Sequence, residues 1–383
     1  MNQLERSGLS RRQAFFLAGL GPLASVSSAA DGDSRAKQAF EVRRTAAEYY
    51  RNLPNVVQRT NADEAVYPNG WANFGKGLPH NGRGEPDSAA YTALRQACLS
   101  GNPLDFEKIP MGGTARFVNP LGAQVFQFTG FDSHQVEIAA PPSFTSAGMA
   151  SDMGEVYWRA LCRDVNFSDY GTSPIVQAAI DDLAKFSGYA GPKIGGQITH
   201  DSLFRGSSIG DQAGFLLSQF LLQTIPYGGT TIPQLWRTSL PGADFMTTWG
   251  EWLSVQSGNA ATGLARPDSS ARYIRNLRDL AMFVQKDFSF EPFLNAALIL
   301  LGWGPSFIKN DNPYKTSKTG AGFVSFGAPM ILDMVSRAAV AALGAAWNQK
   351  WTEHRRIRPE AFSGRVQQVV SQKMNYPIHG DLM

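Results

Sequence analysis

Cysteine is almost missing from this chain: Cys98 and Cys162 are the only two in 383 residues. That excludes a disulfide framework. With no CxxC and no HxxxH pattern it also excludes an ordinary zinc site, and no metal ligand is assigned. The two thiols fall in separate expected helices and read as small core hydrophobes rather than as a bridge, although an oxidising compartment would permit one. Charge of one sign is scarce too. A net charge of +3 with no basic stripe and interleaved aromatics excludes a nucleic-acid partner. There is no internal repeat, dinucleotide fingerprint or Walker loop; Gly75-Lys76-Gly77 lacks the spacing and context. The apolar runs 14–26 and 293–301 are too short to span a bilayer, so no membrane partner is expected once the leader is removed.

What is present describes a folded, exported protein. A hydrophobic fraction of 43% against 17% charged residues is that of a globular chain, long enough for one large or two ordinary domains. The 24 Phe and 8 Trp supply large, flat packing contacts. At the N-terminus, Ser10-Arg11-Arg12 precedes the apolar run Ala14 to Val26 and the small residues Ser27 to Ala30. Residues 1–30 thus read as a twin-arginine-type signal peptide, and the mature chain is expected in the periplasm or outside a bacterial cell.

Helical periodicity dominates the mature chain, and the expected fold is mainly α. Helices are expected at Ser34–Asn52, Ala89–Leu99, around Met149–Leu161, from Pro174, over Leu216–Ile225, from Phe245 to before Gly258, over Ala271–Lys286 and over Phe293–Leu301. Val176, Ala179, Ile180 and Leu183 should form a buried face. Gln124 to Phe128 alternates like a half-buried strand and could pair with Gln135 to Ile138, giving a small β-hairpin within about 115–140. A helical core over about 145–358 and a loop tail over 359–383 complete the expected layout.

The stretch Lys350 to Glu360 carries the chemistry. Apolar residues from Ile331 to Ala345 recur at helical spacing and lead into it. If the helix continued, His354 would fall roughly 40° round from Lys350 and Arg358 roughly 80°, at about 100° per residue. Pro359 biases Arg358 out of the helical region, so Arg358 should turn inward at the helix end. An ammonium beside a guanidinium fork suits a phosphate-like oxyanion. Basic residues at a helix C-terminus also serve simply to complement its dipole, and charge pattern alone leaves that reading open.

The segment Lys350-Trp351, followed by His354-Arg355-Arg356-Ile357-Arg358-Pro359-Glu360-Ala361, resembles the first active-site motif of the vanadium-dependent haloperoxidases, above all the bromoperoxidases of red algae and their bacterial relatives. Ser34 to Lys37, Lys76 to His80, Leu203 to Gly206, Asp244 to Met246 and Ile274 to Ala281 follow the same order, so the likeness covers nearly all of 34–383. It implies a helical bundle of the haloperoxidase and acid phosphatase type, vanadate as cofactor, and hydrogen peroxide and halide as substrates. It casts Lys350 and Arg358 as catalytic, vanadate-binding residues with His354 supporting them from behind. A homodimer or larger shell is implied as well.

The family's later His-Pro-x-x-x-x-Gly-His segment and its vanadium-ligating His are not found in these 383 residues, and His379 is not given that role. The chain is therefore expected to be C-terminally truncated and inactive or incomplete alone, or to need a complementary C-terminal chain as half of a split enzyme. An acid phosphatase-like hydrolase on the same pocket, or a non-catalytic exported binding protein, are the alternatives.

Overall fold

The computed structural model describes residues 34–124, 132–263 and 266–383, and its regular structure is helical almost throughout. The expected leader, 1–30, lies outside the described residues. We label the main helices α1 (Ser34–Asn52), α2 (Ser88–Ser100), α3 (Ala147–Leu161), α4 (Pro174–Leu183), α5 (Trp249–Gln256), α6 (Leu277–Lys286), α7 (Glu291–Gly302), α8 (Ala328–Trp347) and α9 (Pro359–Val370).

Local chemistry sets their starts. The carboxylate of Asp87 accepts from Ala90 N at 2.8 Å, the Ser146 hydroxyl from Met149 N at 3.1 Å and the Asn276 side chain from Asp279 N at 2.9 Å. Each satisfies an amide that the first helical turn leaves free. Pro174 and Pro359 open α4 and α9, where a missing N–H costs nothing.

Three of the buried clusters place the site. The expected face of α4, Val176, Ala179, Ile180 and Leu183, packs with Ala150, Tyr170 and Leu203. A second cluster joins Tyr91, Leu94 and Cys98 of α2 to Phe74, Leu78 and Trp351. A third joins Met149 and Met153 of α3 to Phe144 and to Ile357, Ala361 and Phe362 at the start of α9. The Lys350–Arg358 segment is thus anchored at one end by Trp351 and at the other by Ile357. Cys98 and Cys162 are both free and buried, and burial pushes each thiol up to about 11, which leaves them inert at neutral pH.

Several elements differ from the sequence expectation. The expected hairpin within 115–140 falls partly on residues 125–131, outside the described residues. Its second strand is absent, because Asp132 and Gln135 form a reciprocal capping box around a single 3₁₀ turn, Ser133–Gln135. The antiparallel pair lies instead at β1 (Ile225–Tyr227) and β2 (Thr230–Ile232), joined through Gly228-Gly229. The glycines admit the tight turn that two strands need. Leu216–Ile225 is therefore not a helix; only Gln219–Leu222 makes a 3₁₀ turn, after which Pro226 suits an extended segment. Residues 359–370 form α9 where a loop tail is expected.

Apolar composition does not guarantee burial here. Val42 and Tyr49 of α1 are exposed, and Phe293 and Leu300 of α7 face outward. Helix α8 continues to Glu353 as a stretch of 26 residues, long and apolar enough to cross a membrane, and its most apolar 18-residue window is only 6% buried. An open face of Met334, Val340 and Ile331 runs along it.

Trp252 of α5 locks the first turn of α9. Its indole N–H donates to Glu360 O at 2.9 Å, and its ring packs where Gly364 leaves room: a Cβ there would sit 2.3 Å from Cζ2. Gly→Ala inside a helix ordinarily stabilises by about 1 kcal/mol. Gly364→Ala should instead destabilise by about 1–3 kcal/mol, because the ring has to move. Urea denaturation measures the difference, and a stabilised variant would show the packing to be loose.

Candidate active site: a cationic pocket

The apolar helix α8 does not run straight into the motif. It widens at Asn348–Glu353 into a π turn, with His354 N donating to Gln349 O at 2.9 Å, five residues back. Arg355 ends the turn in the left-handed region, at φ 41°. Its guanidinium folds back to donate to Trp351 O at 2.8 Å and Thr352 O at 2.7 Å, capping carbonyls that the helix end leaves open. The remaining guanidinium nitrogens make a two-pronged ion pair with Glu64, at 2.7 and 2.6 Å. Phe74 N donates to Arg355 O at 2.7 Å, which lays the loop 73–78 alongside the motif.

That loop closes a cavity of about 260 Å³. Lys76, Arg116, Lys350 and Arg358 contribute the cations of its lining; Phe74, Phe117 and Trp351 form an aromatic side. Its floor is a close crossing of backbones. Ala115 N donates to Gly258 O at 2.9 Å, and a Cβ on Gly113 would sit 2.5 Å from the carbonyl carbon of Gly258. Only glycine fits at that crossing.

Lys350 Nζ lies 4.6 Å from the centre of the Trp351 ring, 5.3 Å from Trp347 and 5.6 Å from Phe74. Aromatic faces favour a cation without neutralising it. Among the described residues no carboxylate pairs with this ammonium. Burial, and then the charge of Arg358, lower its pKa from the ordinary lysine value. Arg358 is extended, at φ −77° and ψ 149°, as the following proline requires. Its Nε donates to Glu360 Oε1, which also accepts from Lys76 Nζ at 2.9 Å.

The structure brings together Lys350 and Arg358 but not His354. The π turn adds a residue to the rotation, so the expected shared stripe does not form and His354 does not line the cavity. It is buried instead, 8% exposed, with no protein partner on either ring nitrogen among the described residues. Burial and then Arg355 keep its pKa low. Arg356 pairs with Asp152 at 2.6 Å, on the surface. Of the five basic residues in the motif, two reach the pocket.

Lys76, Arg116 and Glu360 join the site without any local sequence signal for such a role. Lys76 lay within a segment noted only for its order in the chain, and its pairing with Glu360 spans 284 positions. No local pattern reports a contact of that range.

Fold and pocket define a helical protein with a partly buried, cation-lined cavity. No family model matches the chain. The vanadium-dependent bromoperoxidase of Ascophyllum nodosum is 32% identical over 355 residues, 90% of this chain and 63% of that protein. The vanadium-dependent bromoperoxidase of Corallina pilulifera is 30% identical over 409 residues, 87% of this chain and 68% of its own length. The homohexameric second vanadate-dependent bromoperoxidase of Ascophyllum nodosum superposes with a TM-score of 0.84 at 29% identity, covering 92% of this chain and 60% of that one. The chain belongs to the vanadium-dependent haloperoxidase family, whose cofactor is vanadate, and it spans slightly under two thirds of the Ascophyllum relatives it matches. The solved neighbour is a homohexamer, not a dimer; the resemblance had implied a homodimer or a larger shell.

Proposed function

We propose that the chain supplies the cationic side of a haloperoxidase site, at which vanadate is held for the oxidation of halide by hydrogen peroxide. One observation carries the proposal: Lys350, with no counter-ion among the described residues, shares a single cavity with Arg358. Two like charges held together at a partly desolvated site are costly unless an anion joins them. The donor set fits vanadate. Lys350 Nζ offers three N–H groups as a point charge, and the outer nitrogens of Arg358 offer a planar fork while its Nε is engaged by Glu360.

When bound, vanadate supplies the Lewis-acid activation of peroxide. The chain's own residues do the rest. Lys350 donates to an oxyanion oxygen, Arg358 neutralises neighbouring oxygens, and Phe74, Phe117 and Trp351 exclude water from one side so that these donors act in a low dielectric.

Residues beyond these 383 are proposed to provide the group that ligates vanadium, covering the open face of α8 as they do so. The exposed Ile331, Met334 and Val340 support that reading. Export of the folded protein through a twin-arginine leader at residues 1–30 is part of the same proposal.

The experiment is bromination of a phenolic dye with vanadate, bromide and peroxide. The chain should be nearly silent alone and active when joined by a polypeptide carrying the remaining portion of the relatives. Robust bromination by the chain alone would overturn the incompleteness. Hydrolysis of a chromogenic phosphate ester without peroxide, and no bromination under either condition, would favour a phosphatase on the same pocket.

A further inference from the structure

A pair of cations facing one cavity raises a mechanical question: what keeps Arg358 beside Lys350 when the two repel? Arg358 is the cap of α9, has an extended backbone, and its side chain is 46% exposed, so an unrestrained guanidinium would swing into solvent. Glu360 stands two residues on. Its carboxylate takes Arg358 Nε on the same oxygen that accepts from Lys76 Nζ at 2.9 Å. Its carbonyl is held by the indole N–H of Trp252 at 2.9 Å. The carboxylate therefore has little freedom of its own: a second helix holds its backbone and a cation from a distant loop holds its head.

Building on the proposed oxyanion pocket, we propose that Glu360 is its positioning residue, holding Arg358 against Lys350 so that the outer guanidinium nitrogens and the ammonium converge on one anion. The charges facing Lys350 across the cavity are Arg358 from the start of α9, Lys76 from the loop 73–78 and Arg116 from the loop 111–118. Glu360 offsets part of this excess from behind Arg358 without bonding Lys350. A carboxylate at the start of α9 also complements the helix dipole, and the test must separate the two roles.

The sign of one titration does so. If Glu360 contributed only charge, removing it would make the pocket more positive and lower the Lys350 midpoint further. If Glu360 holds Arg358 in place, Glu360→Ala releases the guanidinium, the repulsion relaxes, and the Lys350 midpoint rises. The measurement is the side-chain titration of Lys350 by NMR on lysine-labelled protein, with the signal assigned by its loss in Lys350→Met. The expected result is an upward shift of about half to one unit in Glu360→Ala. Glu360→Gln, which keeps an acceptor oxygen at the same reach, should move less. A midpoint that falls, or does not move, in Glu360→Ala overturns the proposal.

A second arm measures sulfate affinity by calorimetry, since sulfate keeps its charge through neutral and alkaline pH. Affinity should fall about tenfold in Glu360→Ala and be partly restored in Glu360→Gln. Equal losses in the two variants would contradict positioning. Should the unaltered chain bind no sulfate, the oxyanion reading fails, yet the titration still decides whether Glu360 restrains Arg358. Should Glu360→Ala not fold, Glu360→Ser takes its place: it too is short of Arg358 Nε, the same upward shift of the Lys350 midpoint is expected, and a midpoint that falls or does not move overturns the restraint.

Discussion

Arg355→Met should destabilise the chain by about 3 kcal/mol, because it leaves the mostly buried Glu64 carboxylate, 19% exposed, without its main partner. The Arg355 side chain is 3% exposed, and Glu64 also accepts from the Tyr91 hydroxyl at 2.5 Å and lies 3.2 Å from Arg95 Nε. The same guanidinium caps the carbonyls that close the π turn, so its removal should loosen Trp351 and with it the seat of Lys350. Replacing Arg355 and Glu64 together with apolar residues should recover much of the stability but not the pocket geometry.

The pH dependence has a definite sign. Burial raises the Glu64 pKa, but the bonds from Arg355 and Tyr91 outweigh it, and the folded pKa lies below the ordinary glutamate value. Its stabilisation is therefore present above the unfolded carboxylate value and is lost as pH falls through the lowered folded value. Urea melts at neutral and acid pH would read this as a slope that Glu64→Gln flattens. A loss under about 1 kcal/mol in Arg355→Met would mean that the pair is dispensable.

Lys350→Met should separate stability from binding. The ammonium is partly desolvated beside Arg358, and its lowered pKa means that the fold disfavours its charge. For a lysine with a folded pKa below the unfolded one, the penalty is full at low pH and fades as pH rises through the folded value. The variant should therefore be as stable as the parent or more so at neutral pH, while its vanadate affinity falls on the order of a hundredfold, the range typical of losing one preorganised donor. In the parent, affinity should decline toward alkaline pH earlier than an ordinary lysine would allow, and that decline should be missing from the variant. Thermal melts and calorimetry across pH measure both. A variant that is much less stable and still binds vanadate would assign Lys350 a packing role.

Much of this was legible in sequence because it depends on neighbours in the chain. Val176, Ala179, Ile180 and Leu183 share a face at a spacing any helix imposes, and Pro359 alone sets the backbone of Arg358. Failures came where distant residues or competing local bonds decide. The period-two pattern near Gln135 lost to a capping box that one aspartate and one glutamine can form unaided. His354 would share the stripe of Lys350 only in α geometry, whereas the turn between them is a π turn whose end Arg355 fixes through Glu64, 291 positions away. Helix α8 has the composition of an interior helix, yet Ile331, Met334 and Val340 lie exposed along it. The pocket was half legible for the same reason. Lys350 and Arg358 come from one motif, whereas Lys76 and Arg116 arrive through loops whose positions depend on backbone crossings such as Gly113 over Gly258.

A double-mutant cycle on vanadate affinity, using Lys350→Met, Arg358→Met and the pair, asks whether one anion is gripped by both cations at once. Each single change should weaken binding, and the double change should cost less than the sum, with a coupling of about 1 kcal/mol or more. Single variants that bind vanadate as tightly as the parent, or losses that simply add, would show that the two cations serve no common guest.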